Sequence, residues 1–248
     1  MSAGMSTGPG EGRGLLGFLR RCGVAAGRLE RLSELRRLYE ALLHANRTTN
    51  LTRITDEGDY WILHVADSLS VGLVMPELLR EPLVVADVGC GAGFPTLPLA
   101  WANPALRITG IESRHRKAEF VRRQIDALGL ANARVAAGRA RELARTGDHA
   151  GRYDVVLARA VGPAPKLIRE ARGLLSGGPG ACMVLYKTPA ALRQEGGLAA
   201  REAAKAGLTL GASEVIELPD ARGRRQFLLA ARTPRPSARA LRPAAPPD

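Results

Sequence analysis

Hydrophobic residues between Gly14 and Arg80 recur at the three- and four-residue spacing of amphipathic helices. The stretch RLERLSELRRLYEALLHANRT places leucines and a tyrosine on one face, with arginines and glutamates opposite. LLGFLRRCGV and DEGDYWILHVADSLSVGLVMPELL are also helical in pattern, and the second begins with aspartates that favour helix capping. No part of this region alternates convincingly as a strand does. The pattern therefore predicts a helical segment over residues 14–80.

From Pro82 onwards the pattern changes to short apolar runs bounded by glycine or proline. Such runs, of which LVVADVG is the first, are typical of strands buried in a parallel sheet. RITGIE, ARVAAG, YDVVLARA and GACMVLYK repeat the pattern, with helical stretches between them. Strands that alternate with helices predict an α/β fold with a doubly wound, mostly parallel sheet. EVIEL and RQFLLAAR lie close together and predict an antiparallel hairpin at one edge of it.

The two ends of the chain differ in composition from the rest. MSAGMSTGPGEGRG has no apolar stretch of the kind found in secretory signals, and residues 1–13 are interpreted as a disordered extension. Residues 233–248 are rich in proline and arginine without periodicity, which indicates a disordered tail. We therefore expect the sheet domain over residues 81–232, with the helical segment of residues 14–80 packed on it. No apolar run approaches the roughly 18 residues that span a bilayer.

Charge and cysteine content narrow the class of protein. The 248 residues include 36 Lys and Arg against 24 Asp and Glu, a net charge of +12 that favours polyanionic partners. Coding bias toward arginine explains part of this excess. Cys22, Cys90 and Cys182 are widely separated, and the four histidines show no metal-ligand spacing with them. We expect an intracellular protein without disulfides or a structural metal.

Three glycines occupy five positions in DVGCGAGFPTLPLA, which begins at Asp87. A P-loop requires Lys and then Ser or Thr after its last glycine, whereas Phe-Pro follows here. The dinucleotide motif is G-x-G-x-x-G, whereas Gly89, Gly91 and Gly93 form G-x-G-x-G. An acid two residues before the first glycine suits an ammonium group better than a pyrophosphate. This favours S-adenosylmethionine, which carries an ammonium and a sulfonium, over a glycine turn that only allows close packing.

Later strand ends supply further candidate residues. Glu112 ends RITGIE at about the spacing at which an acid binds ribose hydroxyls, a feature that NAD-binding folds share. The alternative interpretation of Glu112 is a solvent-exposed acid without a ligand. The backbone of Ala140 and Arg141, after the third strand, is a candidate adenine contact, with an exposed start of a basic helix as the alternative.

Two cations end the fourth and fifth predicted strands at the edge of the sheet where ligands bind. Arg159 follows VVLA, and a buried charge there requires a partner, which is Asp87, Glu112, the cofactor or the substrate. Lys187 ends CMVLYK. Two cations at consecutive strand ends favour a phosphate-bearing substrate.

A set of motifs in this chain resembles those of the glucose-inhibited division protein B (RsmG) family. The motifs are NLTRI, HVADSL, DVGCGAGFPTLPLA, IES followed by RK, ARA and YK, and the resemblance covers roughly Leu42 to Leu229. Members of this family methylate N7 of a guanine in the decoding region of bacterial 16S rRNA, with S-adenosylmethionine as methyl donor. The resemblance implies a class I, Rossmann-like methyltransferase with a seven-stranded sheet. It also implies the small ribosomal subunit or its 16S rRNA as partner; we expect a cytoplasmic monomer.

Matching motifs carry the family's site residues onto this sequence. The implied cofactor-binding residues are Asp87, Gly89, Gly91, Gly93, Phe94, Glu112, Ala140, Arg141 and Arg159. Arg159 and Lys187 are the implied catalytic residues, which position the substrate. The motif also implies RNA-binding or structural support by His64, Asp67, Ser68 and Arg225. Alternatively, His64 and Asp67 hydrogen-bond to each other, and Arg225 belongs to a solvated edge.

The chain departs from the family pattern at a few positions. Arg141 follows Ala140 where the family has Ala-Glu, Thr96 stands where it has glycine after proline, and Gln226 stands where histidine is frequent. The chemistry depends little on these positions, since guanine N7 has an in-plane lone pair and needs no general base. Two alternatives remain. The first is a methyltransferase that acts on another RNA, a protein or a small molecule, and the second is a non-catalytic RNA-binding relative.

Overall fold

The computed structural model describes residues 13–232 and 242–243 of the chain. Its N-terminal part is helical, and no strand precedes residue 84 within the described range. The helices are α1 (Arg13–Cys22), α2 (Ala26–Leu29), α3 (Leu32–Thr49), α4 (Glu57–Asp59), a π-helix (Tyr60–Ala66), α5 (Asp67–Leu69) and 3₁₀ turns at Ser70–Leu73 and Pro76–Leu79. Of the predicted extension over residues 1–13, Arg13 belongs to α1, and residues 1–12 lie outside the described residues.

Local sequence signals explain where these helices begin and which face they bury. Leu35, Leu38 and Leu42 follow helical spacing along α3 and are fully buried. Asp56 caps α4, because its side chain accepts a hydrogen bond from the Asp59 N–H at 2.9 Å. The aspartate signal in the sequence therefore marks a true helix start.

Within the described residues, the sheet contains nine strands in the order β3-β2-β1-β4-β5-β8-β6-β9, with β7 paired to β8. The strands are β1 (Val84–Val88), β2 (Arg107–Glu112), β3 (Ala133–Ala137), β4 (Val155–Arg159), β5 (Cys182–Lys187), β6 (Thr209–Ala212), β7 (Ile216–Glu217), β8 (Arg224–Ala231) and β9 (Arg242–Pro243). β1 to β5 are parallel, as predicted, and β8 is antiparallel to β5 and β6.

The antiparallel end of the sheet differs from the prediction. The sequence predicts an antiparallel hairpin of EVIEL and RQFLLAAR at one edge. Two residues of EVIEL do pair with β8 as an antiparallel strand, but β8 lies between β5 and β6 rather than at the edge. The strand β6 comes from TLGA, which is short and contains little β-branched character, and EVIEL contributes only the two residues of β7. The described part of the chain forms nine strands instead of the expected seven, because β7 and β9 are two-residue additions. In the predicted tail, Arg242–Pro243 pair with β6; the rest of the tail lies outside the described residues.

Helices cover both faces of the sheet, as the alternation of strands and helices predicts. They are α6 (Thr96–Ala102), α7 (His115–Ala127), α8 (Ala140–Leu143), α9 (Ala164–Ala171) and α10 (Pro189–Lys205). One core joins the N-terminal helices, α6 and α7 to one face, and a second core joins α9 and α10 to the other. Successive strand residues alternate between the two cores, as Val85 and Ala86 do. No described helix is long and apolar enough to cross a membrane.

The carboxyl ends of the parallel strands all lie at the same end of the sheet, which is called the sheet edge below. Asp87, Glu112, Arg159 and Lys187 all lie at that edge, at or next to the last residues of their strands. β8 runs the other way, and Lys187 is paired with Gln226 near its start, so Arg225 lies there too. The order of strands reverses between β1 and β4, which is where open α/β sheets bind ligands.

Candidate active site

The glycine loop follows β1 and has left-handed backbone at all three glycines. The φ angles are +71° at Gly89, +59° at Gly91 and +95° at Gly93, a region that favours glycine. A Cβ atom on Gly93 would lie 2.4 Å from the Leu97 side chain, and one on Gly89 would lie 2.7 Å from that of Val161. Nothing crowds Gly91, whose nearest neighbour would be a backbone oxygen at 3.9 Å. Packing therefore accounts for two of these glycines, and Gly91 leaves open space.

Asp87 is fully buried at the end of β1. Its Oδ2 accepts hydrogen bonds from the Thr96 hydroxyl at 2.6 Å and from the Thr96 N–H at 3.2 Å. Its Oδ1 is buried without a hydrogen-bond partner in the described part of the chain. Burial raises the pKa of Asp87 to about 6, although Thr96 and the charge of Arg159 act in the opposite direction. One carboxylate oxygen is thus held, and the other is left for a donor.

Glu112 joins the glycine loop to the end of β2. Its Oε2 accepts the Gly91 N–H at 3.0 Å, and its Oε1 accepts the Arg114 N–H at 2.8 Å. An ionised carboxylate has about four acceptor positions, so each oxygen retains one for a further donor. Glu112 is therefore not the solvated acid of the alternative interpretation, since its side chain fixes two loops.

A cleft of about 600 Å³ opens beside these loops. Its lining includes Gly89, Ile111, Ser113, Ala140, Arg141 and Val161. The volume falls within the range of roughly 300–1,000 Å³ that is usual for small-molecule sites. The structure thus brings Ala140 and Arg141 next to the glycine loop, as the adenine interpretation requires.

The charge of Arg159 is balanced by Asp67 rather than by Asp87 or Glu112. Arg159 donates from Nη1 to Asp67 Oδ2 at 2.7 Å and to the Leu63 carbonyl oxygen at 2.8 Å. Arg225 donates to both oxygens of Asp67, at 2.6 and 2.8 Å. Arg225 is therefore not a residue of a solvated edge. Two guanidinium groups share one carboxylate, which leaves an excess positive charge, and Nε of Arg159 is buried without a partner among the described residues.

His64 and Asp67 are both joined to Arg159 instead of to each other. The His64 Nδ1 lies 3.2 Å from Nη2 of Arg159, which can only donate, so Nδ1 accepts and Nε2–H donates to the Thr52 hydroxyl at 3.0 Å. Burial, followed by the charge of Arg159, lowers the pKa of His64 to about 3. His64 is therefore neutral and both of its ring nitrogens are engaged.

Phe94 lies inside the protein rather than along the open cleft. Its ring stacks on that of His64, with centroids 4.2 Å apart and planes at 9°, and the Arg159 guanidinium lies 5.9 Å from the ring centroid. Ser68 also has a structural environment, since its hydroxyl donates to the His64 carbonyl oxygen at 2.5 Å and its own carbonyl accepts from Tyr186 at 2.8 Å. The HVADSL motif thus connects the helical segment to the carboxyl ends of the strands.

Lys187 holds the loop that follows β4. Its Nζ donates to Glu195 Oε2 and to the Gly162 carbonyl oxygen, both at 2.7 Å, and Glu195 also accepts the Ala164 N–H at 2.7 Å. This loop carries Val161, which is 42% exposed, across Gly89. Lys187 therefore stabilises the wall of the cleft through backbone contacts.

Four residues of this site escape detection in the sequence. They are Thr52, Thr96, Val161 and Glu195. Two of them carry a signal, since Thr52 lies within the NLTRI motif and Thr96 is a departure from the family pattern directly after the glycine loop. The others are common residue types that act through contacts between distant parts of the chain. Among the described residues, no group of three or more His, Cys, Asp or Glu side chains could hold a metal ion.

The fold is that of the class I, Rossmann-like methyltransferases. Geranyl diphosphate C-methyltransferase from Streptomyces coelicolor has a similar fold, with a TM-score of 0.50 at 14% identity over 73% of this chain and 86% of that one. The YcgJ protein of Bacillus subtilis also matches with a TM-score of 0.50, at 13% identity over 68% of this chain and 99% of that one. At these identities the similarity concerns the fold alone.

The chain belongs to the rRNA small subunit methyltransferase G (GidB) family, whose model matches residues 31–209. The proteins of this name from Gloeobacter violaceus and Deinococcus deserti are 37% and 40% identical over 197 and 158 residues. These alignments cover 79% and 64% of this chain, and 76% and 63% of the relatives. The relative from Leuconostoc citreum is 36% identical over 53% of this chain, which spans about half of that protein (55%). The predicted family resemblance is confirmed.

Proposed function

We propose that this protein transfers a methyl group from S-adenosylmethionine to N7 of a guanine in 16S rRNA. The observation that carries the proposal lies at the carboxyl ends of β1 and β4, where Asp87 and Arg159 each have a buried polar atom that no described residue pairs with. Family membership supplies the substrate class, since the relatives are named for the RNA of the small ribosomal subunit. We further propose that it acts in the cytoplasm as a monomer.

The unpaired atoms suit the amino-acid end of the cofactor. Among the described residues, Oδ1 of Asp87 has no donor and Nε of Arg159 has no acceptor, and an amino acid carries both an ammonium and a carboxylate. We propose that these two residues bind that end, that Glu112 accepts from the ribose hydroxyls, and that the backbone of Ala140 and Arg141 contacts adenine. When bound, S-adenosylmethionine supplies a methyl group activated by its sulfonium.

The residues at this edge suit an acceptor that needs no deprotonation. His64 is neutral with both nitrogens engaged, and Lys187 is paired with Glu195. Guanine N7 attacks with a lone pair that lies in the plane of the base, so the protein has only to hold donor and acceptor at near-attack distance. Arg159 orients the reactants, and Lys187 fixes the Val161 loop as a positioning residue. An RNA substrate is also consistent with the net charge of +12.

The test is to map N7-methylguanine in the rRNA of cells with and without the gene. Loss of one methylated guanine on deletion, restored by the wild-type gene, is expected. An unchanged methylation map would overturn the rRNA assignment. Calorimetry with S-adenosylmethionine separates a second possibility, because a non-catalytic RNA-binding relative would show no cofactor binding.

A further inference from the structure

A second cleft, of about 650 Å³, lies on the face of the sheet covered by α9 and α10. Its charged lining residues are Arg141, Arg145, Arg169, Glu170, Arg172 and Arg232. Arg232 follows Ala231, which is paired with Cys182 at the start of β5. This end of the cleft is therefore at the opposite edge of the sheet from Lys187.

The second cleft is continuous with the candidate cofactor cleft. Arg141, Arg145 and Glu170 line both of them. The helix α9 contributes residues to the lining of both clefts, and its eight residues span about 12 Å. A continuous basic surface thus runs from the glycine loop along α8 and α9 to the far edge of the sheet.

Among the described residues, Glu170 in the lining and Glu202, which lies near Arg169 and Arg172, balance only part of the positive charge of this surface. The second cleft has five arginines and one glutamate. Arg169 lies 3.9 Å from Glu202, the longest of the salt bridges in the described structure. Arg141, Arg145, Arg172 and Arg232 form no salt bridge with another described residue. Such a surface has a large Coulombic attraction for an extended anion.

We propose that this second cleft binds the phosphate backbone of the RNA substrate, away from the reacting guanine. The inference rests on the proposed function, because it assigns a surface to the same substrate. Guanidinium groups match phosphate oxygens in bidentate geometry, and the cations of this cleft are all arginine. A protein partner would require an apolar centre, whereas the exposed large hydrophobic residues of the described structure, Val161, Leu198 and Val215, lie outside this cleft.

The test compares two double variants. R172Q/R232Q removes two arginines that line only the second cleft, and R37Q/R123Q removes two exposed arginines on α3 and α7. The probe is poly(U) RNA, and its binding to each protein is measured by fluorescence anisotropy at several salt concentrations. We expect the magnitude of the slope of log K against log salt to fall by about 1.4 in R172Q/R232Q, because each contact to a phosphate of single-stranded RNA contributes about 0.7, and by less than half of that in the control.

A second readout separates this surface from the active site. With 16S rRNA, R172Q/R232Q is expected to raise KM by about tenfold without changing kcat or the affinity for S-adenosylhomocysteine. The proposal that the second cleft binds RNA would be overturned by equal slopes in the two double variants, or by a wild type that does not bind poly(U). Because poly(U) contains no guanine, its binding does not depend on methyl transfer. Failure of the proposed function would instead appear as normal poly(U) binding without methylation of 16S rRNA.

Discussion

Asp87 is a fully buried acidic residue, and its two carboxylate oxygens have different surroundings. Thr96 donates twice to Oδ2, whereas Oδ1 has no partner among the described residues. Because burial raises the pKa of Asp87 to about 6, its contribution to stability is fully present below about pH 4 and is lost as the pH rises through about 6. Near neutral pH the protein without ligand therefore keeps an ionised carboxylate at a cost of about 3 kcal/mol. A bound ammonium group would relieve that cost.

Replacing Asp87 by Asn should weaken cofactor binding at pH 8. A hydrogen bond to a charged group contributes about 1.5–3 kcal/mol, so we expect Kd for S-adenosylhomocysteine to rise by roughly ten- to a hundredfold. In the wild type the affinity should also fall as the pH drops below about 6, where Asp87 becomes protonated, and D87N should lack this dependence. Isothermal titration calorimetry at pH 8 and pH 5 measures both effects.

The matched control for that experiment is Asp154→Asn. Asp154 accepts the Val84 N–H at 3.0 Å at the start of β1, the opposite end from the glycine loop. D154N should bind the ligand as the wild type does. Equal affinity of D87N and D154N at pH 8 would contradict the assignment of Asp87 to the cofactor.

His64 makes a pH-dependent contribution of the opposite sign. Its folded pKa of about 3 lies below the ordinary 6.5, so the unfolded chain binds its proton first, and stability is lost as the pH falls below about 6.5. A glutamine at position 64 does not titrate. We subtract the free energy of unfolding of H64Q from that of the wild type at each pH. We expect this difference to decrease by up to about 2 kcal/mol when the pH is lowered from 7 to 5.

Urea unfolding of both proteins at the two pH values tests this prediction. Taking the difference between wild type and H64Q cancels the contribution of Asp87, which titrates in both. A difference that does not depend on pH would mean that His64 keeps an ordinary pKa in the folded protein.

Among the elements, the parallel strands could be predicted from sequence because a buried strand and its flanking glycines are a local signal. The glycine loop is equally local, since its residues are consecutive. The partners at the sheet edge are not local: Arg159 and Asp67 are 92 residues apart, and the sequence predicts only that Arg159 needs a partner. The position of β8 between β5 and β6 likewise depends on the packing of the whole sheet. Pattern alone therefore gives the parallel strands and the glycine loop, whereas β6 and the contacts that connect the elements require the three-dimensional structure.

The loop after β4 gives a prediction that concerns elements. Lys187 at the end of β5 donates to Gly162 and to Glu195 of α10, and so connects three elements. K187Q should loosen this loop, with amide hydrogen exchange around Gly162–Ala164 about tenfold faster and a several-fold higher Kd for S-adenosylhomocysteine. K205Q is the control, because Lys205 pairs with Glu202 on the same helix and is 72% exposed. Unchanged exchange in K187Q would contradict the positioning role.

For the molecule as a whole, Asp67 connects its two parts. It belongs to the helical segment, is 1% exposed, and pairs with Arg159 from β4 and Arg225 from β8. One side chain thus joins the N-terminal helices to two strands that are separated by β5. Stability of the helical segment and stability of the sheet are expected to be coupled through this contact.

Replacing Asp67 by Asn should destabilise the whole protein, because it leaves two neighbouring guanidinium groups without a countercharge. Loss of one partner of a buried ion pair costs about 3–5 kcal/mol, and we expect D67N to lower the free energy of unfolding by that amount. Urea unfolding followed by the fluorescence of Trp61 and Trp101 measures it, since both residues are buried in the core that the helices share with the sheet. The double variant D67N/R225Q should be less destabilised than the sum of the two single variants, because it removes one of the uncompensated cations. Strict additivity would show that Asp67 and Arg225 do not interact, and separate transitions for the two parts would show that Asp67 does not couple them.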